Sequence, residues 1–146
     1  MTITRAGTRY GDVFRSSVCK DDFSNMITKT VKRRGKGGYS VRYTLQKPAV
    51  TSLRAVAREL GGPFRQMPVK VTGTSRTCEY QAALYAKDPH RYASPNGTLH
   101  TQGLAIDVDM NFLAKFPQTK RLLLEHGWHQ SRPDDEPWHF SFRFIA

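Results

Sequence analysis

Three side chains that could share one metal ion fall in two short stretches of this chain. His100 precedes Asp107 by seven positions in Leu99-His100-Thr101-Gln102-Gly103-Leu104-Ala105-Ile106-Asp107-Val108-Asp109-Met110, and His139 stands in Asp134-Asp135-Glu136-Pro137-Trp138-His139-Phe140-Ser141-Phe142. Ligands must be deprotonated to bind a metal, which a carboxylate and neutral imidazoles satisfy near neutral pH. Two imidazoles and one carboxylate leave a fourth tetrahedral position for water, the arrangement of a catalytic rather than a structural zinc.

Bringing these groups together requires two strands and a turn. Leu104, Ile106, Val108 and Met110 alternate with Ala105, Asp107 and Asp109, the period of a half-buried strand that turns its carboxylates away from the core. His100 lies just ahead of Gly103, where the chain can turn the imidazole over the same face. In the second stretch Trp138, Phe140, Phe142 and Phe144 share an apolar face, opposite His139, Ser141 and Arg143. Asp109, on the ligand face, is expected to orient a ligand or a loop from behind.

The order His-x-x-Gly-x-Ala-x-Asp followed by Glu-Pro-Trp-His resembles the zinc D-alanyl-D-alanine peptidases of the VanY type, which group with the lysostaphin-like enzymes and the hedgehog fold. The resemblance covers about Val69 to Phe144. It implies zinc on His100, Asp107 and His139, with Glu136 as general base. In an unbroken strand Glu136 would face away from His139. Pro137 cannot donate to a strand ladder, so the regular strand is expected to begin after it, and a bend there can aim Glu136 at the site. Arg76 resembles the family arginine of a Gly-Tyr-Arg-Ser-like turn, with a glutamine, here Gln81, five residues on. The match is imperfect, since Thr74-Ser75 replaces Gly-Tyr. A guanidinium there suits a substrate carboxylate or a developing oxyanion. Thr98 stands where relatives often have serine, and it joins Arg76, Gln81 and Trp138 as an expected substrate contact. His90 and His126 need no role in this scheme, and His129 could line the cleft rim.

The resemblance implies a zinc metallopeptidase acting on peptidoglycan stem peptides, of the D-Ala-D-Ala carboxypeptidase type. The run Gln81-Ala-Ala-Leu84-Tyr85-Ala86 instead looks like that of phage L-alanyl-D-glutamate endopeptidases, as in endolysins or tail-associated lysins. A third reading is a catalytically silent zinc-containing module that binds the wall. Glu136 argues against it, because metal binding alone needs no general base.

The remaining pattern defines the scaffold. The 146 residues read as one domain able to bury about 70% of its unfolded surface. A basic N-terminal extension or hairpin (about 1–47) precedes the motif-bearing part (about 69–144). Little pattern marks residues 1–28, where irregular structure and a short helix near Asp22 to Ile27 are expected. A hairpin follows, with its tip at Lys32-Arg33-Arg34-Gly35-Lys36-Gly37-Gly38. The spacing of Leu53, Val56, Ala57 and Leu60 predicts a helix over 48–60. A strand is expected at 69–71, a helix over 78–86 capped by Thr77, a loop over 87–97, and a third helix from about Pro117 to before Gly127. The fold class is α+β, a small mixed or antiparallel sheet carrying the ligands and flanked by about three helices, which the resemblance makes hedgehog-like or D-Ala-D-Ala peptidase-like. Cys19 and Cys78 are too few for a disulfide framework; they could pair, but nothing in their spacing says so, and free buried thiols are the expectation.

The chain carries a net charge of +11, and residues 1–50 hold 11 Lys and Arg against 3 Asp and Glu. That basic half suits an anionic wall polymer. No helix-turn-helix, RNP or zinc-finger pattern supports nucleic acid binding. No signal peptide or membrane span is read from the sequence, so delivery to a bacterial wall would need another agent. A bacteriophage origin, with release at lysis or carriage on the virion, fits these features.

Overall fold

The structure, a computed structural model, describes residues 3–21, 24–61 and 68–143. Mixed α and β elements are arranged as two hairpins, one small sheet and four α-helices. The hairpins are β1 (Ile3–Thr8) with β2 (Gly11–Ser16), and β3 (Met26–Arg33) with β4 (Tyr39–Gln46). The sheet has the order β5 (Val71–Gly73), β6 (Ala105–Val108), β8 (His139–Phe142), β7 (Trp128–His129), antiparallel throughout. The helices are α1 (Lys47–Leu60), α2 (Cys78–Lys87), α3 (Met110–Lys115) and α4 (Gln118–Glu125).

The inner face of the sheet is built from Ile106, Val108, Phe140, Phe142 and Trp128, all essentially without solvent contact. It shares one core with Leu53 and Val56 of α1, Leu123 of α4, and Val31, Val41, Tyr43 and Leu45 of the second hairpin. Each such side chain contributes about 1.5–3 kcal/mol relative to exposure. Helix α1 starts with Pro48 in its first turn and ends at Gly61. It is fastened to the sheet edge through Ser52, which donates to the His126 carbonyl (2.5 Å) and accepts from the buried Trp128 Nε1 (2.9 Å).

Several expectations are corrected here. Residues 3–16 form a hairpin, not irregular chain; its strands place only Val13 fully in the core, so no apolar alternation announces them. Of the expected helix over 22–27, residues 22 and 23 lie outside the described residues, while Met26 and Ile27 begin β3. The central strand stops at Val108 rather than Met110, because the Asp109 carboxylate accepts from Phe112 N (2.9 Å) and caps α3. Met110 is accordingly half exposed rather than core. The short strand lies at 71–73 instead of 69–71. Phe144 lies outside the described residues.

Cys19 and Cys78 are disulfide-bonded and half-buried, not free buried thiols, with Cα atoms 5.9 Å apart. The fold lays the segment after β2 across the start of α2. Cys19 N donates to Asn96 Oδ1 (2.6 Å) and Cys78 N to Asp21 Oδ1 (2.8 Å). A separation of 59 residues carries no local signal of that approach. Among the described residues, no helix is long and apolar enough to cross a membrane.

Candidate metal centre

Asp107 and His139 face each other directly across the β6–β8 ladder. Residues opposite one another in an antiparallel pair share a face, so the outer face of the sheet carries Asp107, His139, Ser141 and, one strand further, His129. His100 arrives from a 3₁₀ turn, Leu99–Gln102. Thr98 Oγ1 caps that turn by accepting from His100 N (3.2 Å), and Thr101 Oγ1 donates to the Pro95 carbonyl (3.1 Å). Gly103 closes it at φ +68°, where a Cβ would meet Met26 Sδ at 2.9 Å and Gln46 N at 3.0 Å. The turn expected at this glycine is therefore present, in the left-handed conformation.

Gln46 locks the turn to the rest of the fold. Fully buried at the end of β4, it accepts from Phe14 N (2.8 Å) and donates to the Phe14 (2.5 Å) and Gln102 (2.8 Å) carbonyls. Its own N–H donates to the Gly103 carbonyl (3.0 Å). A buried amide bonded on all sides resists displacement, since any lost partner leaves a desolvated group unpaired. Sequence reasoning missed Gln46 because its partners lie about 30 and 56 residues away.

The three donor atoms converge. His100 Nε2 lies 3.2 Å from His139 Nδ1 and 3.3 Å from Asp107 Oδ1, and His139 Nδ1 lies 3.1 Å from that same oxygen. Donors about 2.1 Å from a tetrahedral ion stand about 3.4 Å apart, so the spacing is that of a ligand set slightly contracted. Each far atom is tied elsewhere. His100 Nδ1 donates to the Thr74 carbonyl (2.6 Å), which places its proton there and leaves Nε2 with a free lone pair. His139 Nε2 meets Ser141 Oγ (3.1 Å), and Asp107 Oδ2 accepts from Arg76 Nη2 (3.2 Å). Such outer contacts fix tautomer and ring orientation at metal sites. Two imidazole nitrogens and a carboxylate oxygen aimed at one point repel unless a cation, a metal ion or a proton, lies between them. The His100, Asp107, His139 group could hold a metal ion. Side-chain exposures of 4%, 14% and 16% make it largely buried while still reachable from the cleft.

Burial alone would raise the Asp107 carboxyl, but in metal-free protein hydrogen bonds from the protonated forms of His100 and His139, and the charge of those rings, hold it well below the usual carboxylate range. It is an anion across the working pH range.

The other expected residues distribute around a cleft of about 830 Å³ over this face. Glu136 lines it together with the three ligands; β8 begins at His139, and His139 N donates to the Glu136 carbonyl (3.1 Å) in the preceding turn. Strand parity therefore does not apply to Glu136. Arg76 bridges Asp107 and Gln81 Oε1 (3.2 Å), while Gln81 Nε2 donates to the Ala93 carbonyl (2.8 Å). Thr98 and Trp138 also line the cleft. Asp109 is spent on capping α3 and, among the described residues, has no hydrogen bond to His100, Asp107 or His139 side chains. His126 sits apart, against Glu59 and Tyr10.

No family model and no curated protein matches this chain. The site is interpretable on its own geometry. His129 is part of it: buried Nδ1 has no partner among the described residues. Burial, then the Arg143 charge, lowers its pKa, with a hydrogen bond to the Ser141 backbone opposing and the His139 charge adding. The signal for Ser141 is its two-residue spacing from His139, and His129 lines the cleft as expected of it.

Proposed function

We propose that the chain is a zinc metallopeptidase of peptidoglycan stem peptides, with the hedgehog-like fold of the VanY-type peptidases and D-Ala-D-Ala carboxypeptidase chemistry. The observation that carries this reading is the convergence of His100, Asp107 and His139, each with its far atom tied, on a cleft that Glu136 and Arg76 also line. Two imidazoles and one carboxylate are the donor set of hydrolytic zinc. The bound ion supplies Lewis acidity toward a scissile carbonyl and toward water.

The chain's own residues do the rest. The Glu136 carboxylate takes the proton of the attacking water and passes it to the leaving amine. Arg76 holds Asp107 with one N–H and Gln81 with another. Its remaining donors suit a terminal carboxylate or the developing oxyanion. The walls set by Thr98 and Trp138 orient the peptide and limit water access.

The endopeptidase alternative is favoured by one observation: the cleft, at about 830 Å³, is lined by residues besides those of the candidate centre, Arg91, Tyr92 and Arg143 among them. A substrate continuing past the scissile bond on both sides would fill it. The test is mass spectrometry of muropeptides from purified sacculi, with and without chelator, alongside metal analysis. The expected result is about one zinc per chain, loss of a single terminal alanine, and no product with chelator. Full zinc retention by His139→Ala would overturn the ligand assignment. Release of stem peptide from the glycan side would shift the bond but keep the metal chemistry.

A further inference from the structure

The charge lining the cleft exceeds what one terminal carboxylate needs. Five arginines line it, Arg15, Arg76, Arg91, Arg132 and Arg143, against two acids, Asp107 and Glu136; none of the chain's lysines does. Asp107 is already committed to His100, His139 and Arg76. The general basicity of the chain does not account for this, because four of the five arginines come from residues 51–146, which carry 12 Lys and Arg against 9 Asp and Glu.

The surroundings of Arg91, Arg132 and Arg143 leave these three available. Arg132 pairs with Asp135 at 2.8 Å, but both side chains are more than half exposed, and solvent screening makes such pairs weak and readily exchanged. Arg91 lies over the Tyr92 ring, 5.4 Å from its centroid. Neither Arg91 nor Arg143 has a carboxylate partner among the described residues. Arginine presents a planar fork that matches a carboxylate with two parallel hydrogen bonds, which a lysine cannot do. A cleft with several forks and no lysine therefore fits a ligand with several carboxylates, spaced along its length.

We propose that the cleft selects stem peptides whose side carboxylates are free, those on the γ-linked D-glutamyl residue and on a dicarboxylic diamino acid, and discriminates against the amidated forms. This rests on the peptidase reading of the site for the bond that is cut, but the selectivity itself is a property of binding. Arg91, Arg132 and Arg143 carry it, and Arg76 remains with the reacting end.

The experiment uses two synthetic stem pentapeptides, identical except that the side carboxylates are free in one and amidated in the other. Calorimetry with the full-length Glu136→Gln chain measures binding without turnover, and hydrolysis by the parent protein is followed in parallel. The expected result is about tenfold tighter binding of the free-carboxylate peptide at low salt, equivalent to about 1.4 kcal/mol. The preference should shrink as salt rises. Substituting Arg91→Gln, Arg132→Gln and Arg143→Gln together should erase the preference, so that the two peptides bind alike. These exposed positions are not expected to disturb folding, and an unchanged melting temperature checks that. Equal affinity for the two peptides, no binding of either, or a preference that survives the triple substitution would overturn the inference. Hydrolysis of both peptides without preference would overturn it and leave the peptidase reading standing. A binding preference without hydrolysis of either would support it and sink the peptidase reading.

Discussion

Helix α2 is held less by its own packing than by its ends, and this makes the disulfide a support of the candidate site. Among the described residues of α2, the buried one is polar Gln81, so little apolar burial anchors the helix. What fixes its start is the Cys19–Cys78 bond and the Asp21 carboxylate accepting from Cys78 N. Gln81 in turn supports Arg76, and Arg76 supports Asp107. Replacing both cysteines with serine opens a loop of 59 residues, for which the chain-entropy relation gives about 4 kcal/mol of lost stability. For a domain of this size each kcal/mol is worth about 2–4 °C, so the melting temperature should fall by roughly 10 °C. Reductant should reproduce the shift in the parent and do nothing to the variant. Hydrogen exchange should accelerate in α2 before it does in β6 and β8, and peptide hydrolysis should fall by more than global unfolding explains. A melting temperature within about 1 °C of the parent, with unchanged exchange in α2, would refute the view that the disulfide carries this helix.

Glu136→Gln should keep fold and metal while losing about 10²–10⁴ in rate, since it removes a proton acceptor and no ligand; parent-like hydrolysis would make Glu136 a bystander. Neutralising Lys32, Arg33, Arg34 and Lys36 together should weaken sacculus binding most at low salt, as screening dictates; unchanged low-salt binding would return the hairpin tip to a plain solvated turn. In metal-free protein the Asp107 carboxyl titrates below its unfolded value, so its contribution is complete above an ordinary carboxylate pKa of about 4 and fades as pH falls further. The difference in urea midpoint between chelated parent and Asp107→Asn should therefore shrink between about pH 5 and pH 2, and a constant difference would contradict the assignment.

What the sequence disclosed about the site depended on short-range geometry. Asp107 and Ile106 sit on opposite faces because strands alternate, and Gly103 permits the turn that His100 needs. Both are consequences of neighbours in the chain. Thr77 likewise caps α2, accepting from Tyr80 N at 3.1 Å. The contacts that escaped reading are those made between distant segments. The Thr74 carbonyl sets the His100 tautomer from 26 residues away, and no side-chain type advertises a backbone oxygen. The first hairpin was invisible because its strands are largely exposed, which removes the apolar period on which strand reading depends.

Glu136 shows how a local rule can fail usefully. Parity along an unbroken strand would turn it away from His139, yet both line one cleft. The resolution lies in Pro137, which cannot enter the ladder. The chain there forms a turn, with His139 N donating to the Glu136 carbonyl and Gln130 Nε2 donating to the Pro137 carbonyl at 2.7 Å. The candidate ligand and the proposed general base are thus set by different means: His139 by sheet register, which is stiff, and Glu136 by a turn pinned from β7's flank. The proposed proton transfer by Glu136 is served by such a mounting, since the side chain can settle against a substrate without disturbing the ladder that spaces His139 and Asp107.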